Sequence, residues 1–117
     1  MASTTIIDSF TTGLDNRKIK LKVSIEHAQI AKSTVRLNKK SVGEFEDSFE
    51  VELGNAKDLW GITLYVNTTE ADISPDSNKT SFAIELIGGE KPYFNKLEKT
   101  VATGGFALYT TEITFIP

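Results

Sequence analysis

The chain has 117 residues, 39% of them hydrophobic and 25% charged, enough for one self-sufficient core and too apolar for a disordered chain. Its net charge of −3 has the wrong sign for a phosphate-binding surface, so nucleic acid is not the expected partner. With no cysteine there is no disulfide framework and no thiolate metal site.

The first ten residues, MASTTIIDSF, have neither a basic n-region nor an apolar h-region. The chain as given is therefore expected to start without a signal peptide, as a cytoplasmic protein or a secreted one whose signal has been removed. Its longest uncharged run, residues 100–111, is far too short to span a bilayer, so a soluble protein without membrane insertion is expected. Residues 1–16 are rich in Thr and Ser, carry Ile6, Ile7 and Phe10, and end in the turn signal Gly13-Leu14-Asp15-Asn16. They read as an N-terminal arm or short edge strand that pairs with a sheet edge of its own domain or, by a slight preference, of a neighbour. The remainder, 17–117, reads as one domain.

Alternation then becomes clear. Ile19, Leu21, Val23 and Ile25 oppose Lys18, Lys20, Lys22, Ser24 and Glu26, which predicts a strand with one wet face. A bulge or helical turn is expected between Glu26 and Lys32, followed by a short strand carrying Val35 and Leu37 inward and a turn at Asn38-Lys39-Lys40. From Phe45 to Leu53 the odd positions Phe45, Phe49, Val51 and Leu53 oppose Glu46, Ser48, Glu50 and Glu52, with Asp47 the exception on the apolar side.

The stretch Leu59 to Thr69, LWGITLYVNTT, holds the single tryptophan. A period of two places Trp60, Ile62, Leu64 and Val66 on one face and Tyr65, Asn67 and Thr69 on the other, a central strand with Trp60 anchoring the core. Glu70 to Lys79 reads as the longest loop. Phe82, Ile84 and Leu86 give the next inner face, closed by a turn at Gly88-Gly89. Pro92 marks the following strand as an edge. In the last strand Phe106 and Leu108 sit on even positions but Ile113 and Phe115 on odd ones, which predicts a bulge near Thr110 and Thr111. About seven to eight mostly antiparallel strands at ten-residue spacing point to a single all-β sandwich, immunoglobulin-like or jelly-roll-like, with a closed barrel as the alternative.

Catalytic signals are sparse. The single histidine, His27, shares its register with Ile25 and has no nucleophile motif beside it, so it reads as a rim residue and no catalytic residue is assigned. Asp72, Asp76 and Asn78 are hard oxygen donors in one loop, a weak calcium candidate that lacks the EF-hand order of ligands. No cofactor is expected. Tyr65 and Asn67, with Tyr93 and Tyr109, form a candidate carbohydrate platform, since sugar rings stack on aromatic faces flanked by amides.

Charge is polarised along the sequence. Residues 17–40 hold eight basic groups against one acid, a net of +7, and residues 41–78 hold nine acids against one lysine, a net of −8. If Lys18, Lys20 and Lys22 lie across from Glu46, Glu50 and Glu52 in one sheet, they neutralise locally; on opposite sides they make complementary poles. The expectation is a non-catalytic binding or assembly module whose partner is another protein or a second copy of itself. A carbohydrate-binding module is the alternative, and a hydrolase a distant third.

Overall fold

The computed structural model describes residues 2–26, 30–71, 78–102 and 104–117. In chain order the elements are β1 (Ala2–Thr11), β2 (Lys18–Ser24), β3 (Ile30–Leu37), β4 (Lys40–Glu46), β5 (Phe49–Asn55), α1 (Ala56–Leu59), β6 (Thr63–Ala71), β7 (Lys79–Ile87), β8 (Tyr93–Thr100) and β9 (Phe106–Ile116). They form a five-stranded sheet, β1-β9-β6-β3-β4, packed on a four-stranded sheet, β5-β2-β7-β8. This is the expected sandwich, and the sheets do not close into a barrel. All pairings are antiparallel except β1 with β9, which run parallel. No helix among the described residues is long and apolar enough to cross a membrane.

Side-chain alternation explains why the two layers stick. Ile19, Leu21 and Val23 of β2, Phe82, Ile84 and Leu86 of β7, and Leu64 and Val66 of β6 are fully buried, while Lys18, Lys20 and Lys22 face water. The central position read for the Trp60 stretch holds for its strand, because β6 lies in the middle of the larger sheet between β3 and β9. It does not hold for the tryptophan. Ala56–Leu59 make one helical turn, Gly61 adopts a left-handed φ of 79°, and the strand begins only at Thr63. Trp60 therefore falls outside the alternation and remains 36% exposed, with its indole Nε1–H donating to Thr12 Oγ1 at 2.8 Å.

The stretch Phe45 to Leu53 is two strands in different sheets. The chain crosses between the layers at Asp47-Ser48, where Asp47 takes a positive φ of 55° and donates its N–H to Ala31 O. That corner accounts for the acid on the apolar side. Phe45 and Phe49 stack across it with centroids 4.3 Å apart.

The bulge expected near Thr110 and Thr111 is absent: β9 keeps an unbroken register with β6 and with β1. Ala107, Tyr109, Thr111, Ile113 and Phe115 all point inward, and the apolar Phe106 and Leu108 point out, with Phe106 49% exposed. Glu70, read as the start of a loop, belongs to β6, which continues through Ala71, and is fully buried; residues 72–77 lie outside the described residues.

Residues 2–11 pair with β9 of their own chain, from Ala2 opposite Ala107 to Thr11 opposite Ile116. The Gly88-Gly89 turn packs beneath the end of this strand. A Cβ on Gly88, whose φ is 105°, would collide with Lys18 O, and one on Gly89 would meet the Phe10 ring and, at 2.8 Å, Thr11 O. Only glycine fits there.

Candidate functional site

Three places in the molecule bring chemistry-bearing side chains together, and the predicted residues divide among them. The first is the outer face of the smaller sheet. Lys18 reaches Glu52 at 3.7 Å and Lys20 reaches Glu50 at 3.8 Å across the β2–β5 pair, and Lys22 stands opposite Glu50 on one side and Glu85 on the other. Glu46 lies in the other sheet, opposite Lys32. The facing lysine and glutamate rows of β2 and β5 thus neutralise each other in place, each exposed pair contributing about 0.2–1 kcal/mol.

The second is the outer face of the larger sheet. Tyr65 and Asn67 project there from β6, as the alternation requires. The Tyr65 ring is covered by the Arg36 guanidinium, 4.0 Å from its centroid, so that face is closed to a stacking sugar. A shallow depression of about 310 Å³ beside Asn67 is lined by Ile30, Lys32, Thr34, Thr69, Ala71 and Phe106. The other two tyrosines lie elsewhere. Tyr93 sits on β8, edge-on to Phe10, with its hydroxyl donating to Asp8 Oδ2 at 2.9 Å. Tyr109 is fully buried and stacks on Phe82, because β9 keeps its parity where a bulge was expected. Four aromatic and amide groups read as one platform are therefore three separate environments.

The third place is inside the sandwich. Glu70 of β6 lies between Ala31 of β3 and Ala107 of β9, small residues that leave its carboxyl room to cross to the other sheet. Its Oε1 accepts the Ser81 N–H at 3.2 Å, and Oε2 has no hydrogen-bond partner among the described residues. Ser81 Oγ in turn donates to Glu26 O and accepts Glu26 N–H, completing the sheet where β2 ends. Around this carboxyl are Thr80 and Tyr109, their hydroxyls 2.7 Å apart, and the buried Ser33–Thr68 hydroxyl pair, also at 2.7 Å. The Thr80 hydroxyl donates to Lys99 O, so Tyr109 donates to Thr80.

Burial pushes the Glu70 carboxyl from 4.5 up to about 8, the single Ser81 bond offsetting only part of the cost. Burial also raises the Tyr109 hydroxyl, helped by the negative charge of Glu70 and Glu98. A perturbed carboxyl is a familiar mark of an active site, but it needs a substrate within reach. Glu70 lines none of the depressions described in this molecule. Sequence reasoning passed over it because Glu70 stands at the start of a turn-rich stretch; its even parity with Leu64 and Val66 was the available signal.

His27, Asp72 and Asp76 lie outside the described residues. Asn78 is exposed just before β7, where its carbonyl accepts the Val101 N–H. Among the described residues no three His, Cys, Asp or Glu side chains gather as a metal site.

What the sandwich presents besides side chains is four sheet edges: β1 and β4 in one layer, β5 and β8 in the other. Three are guarded by charge. β4 carries Lys40, Glu44 and Glu46 beside a bulge at Val35/Arg36, β5 carries Glu50 and Glu52 beside a bulge at Ile19/Lys20, and β8 carries Lys96, Glu98 and Lys99 after Pro92. Such features discourage a foreign strand from pairing. β1, ASTTIIDSFT, is ten residues long with one charge, Asp8, and an Ile7 side chain 75% exposed. Comparison with protein-family models, curated proteins and solved structures finds no match to this chain.

Proposed function

We propose that this protein is a non-catalytic binding or assembly module that works by accepting an extended segment on the free edge of β1. The observation that supports this reading is the asymmetry of the edges: three carry charge, bulges or proline, and the fourth, also the longest of the four, is nearly uncharged. An open main-chain edge gives affinity through hydrogen bonds that any extended peptide can make, with neighbouring side chains setting preference. The reading is tested by screening immobilised proline-free octapeptides against the protein and against Thr5→Pro. Thr5 is exposed on the outer face, and its N–H points away from β9, so the substitution removes an edge donor without breaking a ladder bond. Peptides that bind the wild type and lose the variant support the reading; a protein that binds no peptide and never self-associates overturns it.

A second reading, carbohydrate binding, moves from the tyrosines to the depression beside Asn67, where the half-exposed Phe106 ring lies among Thr34, Thr69 and Lys32. It predicts that calorimetric titration with a glycan panel gives heat that Phe106→Ala abolishes.

A further inference from the structure

The edge of β1 is not uniformly open, and its pattern selects a partner. Thr12 donates its N–H to Ile116 O of β9, whereas Thr11 O points the other way and accepts the Glu90 N–H. Successive residues of a strand alternate direction, so the even positions of β1 bond to β9 and the odd positions Ser3, Thr5, Ile7, Ser9 and Thr11 face the open side. Two of these are already engaged on one side each. Asp8 Oδ1 accepts the Ser9 N–H at 2.8 Å, and Glu90 takes Thr11 O. The Asp8 carboxylate and the β7–β8 turn thus close the second half of the edge. Among the described residues the N–H and C=O groups of Ser3, Thr5 and Ile7 have no partner on this side.

From this pattern we infer that β1 pairs antiparallel with the β1 of a second copy of this chain, with Thr5 on the two-fold axis. The inference rests on the edge-binding reading above and specifies its occupant. In this register Thr5 faces Thr5 and Ser3 faces Ile7, so each copy contributes three donors and three acceptors and every free group of the stretch finds a partner. Asp8 stands opposite Ala2 of the second copy, which keeps the two carboxylates apart. The exposed Ile7 side chain gains the partner strand as a neighbour on the outer face, diagonal to Thr5. The occupant is another β1 rather than another edge because β4, β5 and β8 would each bring two or three charged side chains into the new pair. The product joins two five-stranded sheets into one of ten strands through a self-complementary contact.

The experiment uses the full chain, whose lack of cysteine makes single-cysteine variants clean probes. Wild type is expected to sediment as a concentration-dependent dimer, and Thr5→Lys, which sets two ammonium groups face to face on the axis, to weaken dimerisation at least ten-fold with an unchanged circular dichroism spectrum and, at dilutions where both proteins are monomeric, the same melting temperature. Thr5→Cys is expected to form a disulfide-linked dimer on mild oxidation, because directly opposed residues in this geometry have Cα atoms roughly 5.5 Å apart. Ser9→Cys is expected not to crosslink, since the register separates the two copies by roughly 27 Å at that position. A mixture of Ser3→Cys and Ile7→Cys is expected to give the heterodimer. A wild-type dimer with no Thr5→Cys crosslink, or an efficient Ser9→Cys crosslink, overturns the inference. A wild type monomeric at several hundred micromolar also overturns it, and the octapeptide screen then separates the outcomes: bound peptides leave the edge reading standing with a different occupant, and none removes both.

Discussion

The interior of this sandwich has two ends of opposite character built on the same strands. At one end Phe10 and Phe115 meet edge-to-face, with centroids 6.0 Å apart, above Leu64, Ile113, Ile19 and Leu86. At the other end the inward positions of the same strands are Thr68 and Glu70 of β6, Tyr109 of β9 and Ser33 of β3, closed from the second sheet by Thr80. Between them lies Thr111, buried, with a hydroxyl that has no partner among the described residues. One end holds by excluding water, the other by satisfying polar groups one by one, and the second is easier to improve. Evolved interiors that retain a poorly satisfied carboxyl forgo stability that a neutral side chain would supply.

The largest effect expected from this contrast is at the apolar end. Phe115→Ala should cost about 3–5 kcal/mol in a denaturant titration, the usual result of emptying an aromatic site in a packed core. A loss near 1 kcal/mol would mean that the Phe10–Phe115 end is loosely packed and the contrast weak. At the polar end the sign reverses. Glu70 is raised in the folded state, so the wild type loses stability as pH climbs from about 4.5, where the unfolded chain begins to ionise, to about 8, where the folded carboxyl follows. At pH 7 the accumulated penalty is about 3 kcal/mol at roughly 1.4 kcal/mol per pH unit. Glu70→Gln should therefore stabilise by about 2–3 kcal/mol at pH 7 and by almost nothing at pH 4. Parallel stability curves for the two proteins from pH 4 to pH 8 would show that the carboxyl is solvated after all.

A smaller test lies between the ends. Thr111→Val keeps the shape and deletes the orphan hydroxyl, for an expected gain of about 1 kcal/mol. The smallest effect should come from Trp60→Ala, about 1 kcal/mol or less, since the ring is over a third exposed and holds one hydrogen bond to Thr12. As the single tryptophan, Trp60 also reports directly: its emission should be red-shifted and quenched by iodide.

The sequence made the layers legible wherever alternation was uninterrupted and polar types coincided with exposure, as in Ile19, Leu21 and Val23 against three lysines. It failed where an inward position carries a polar residue or an outward one an apolar residue. In β9 the inward Thr111 and outward Phe106 mimic a change of parity, and in β6 the inward Glu70 mimics the start of a loop. At Asp47 and Gly61 the backbone turns through a positive φ, so the count of two restarts, and extrapolation across it merges β4 with β5 and misplaces Trp60. The candidate site was less legible than the fold, since it depends on which strands become edges, and strand order is a long-range property that local pattern does not encode. The nearly uncharged character of residues 2–11 was visible; that they would form a sheet edge while the lysine and glutamate rows cancelled was not.

The parallel pairing of β1 with β9 also dictates a timetable. Its partners are 105 residues apart, from Ala2 with Ala107 onward, so β1 waits for β9. At ordinary elongation rates that interval is about 5–20 s, far longer than the microseconds a strand needs to find a neighbour. Until β9 emerges β1 lacks this partner and is a nearly uncharged segment, and the edge of β9 in turn stays open until this long loop closes.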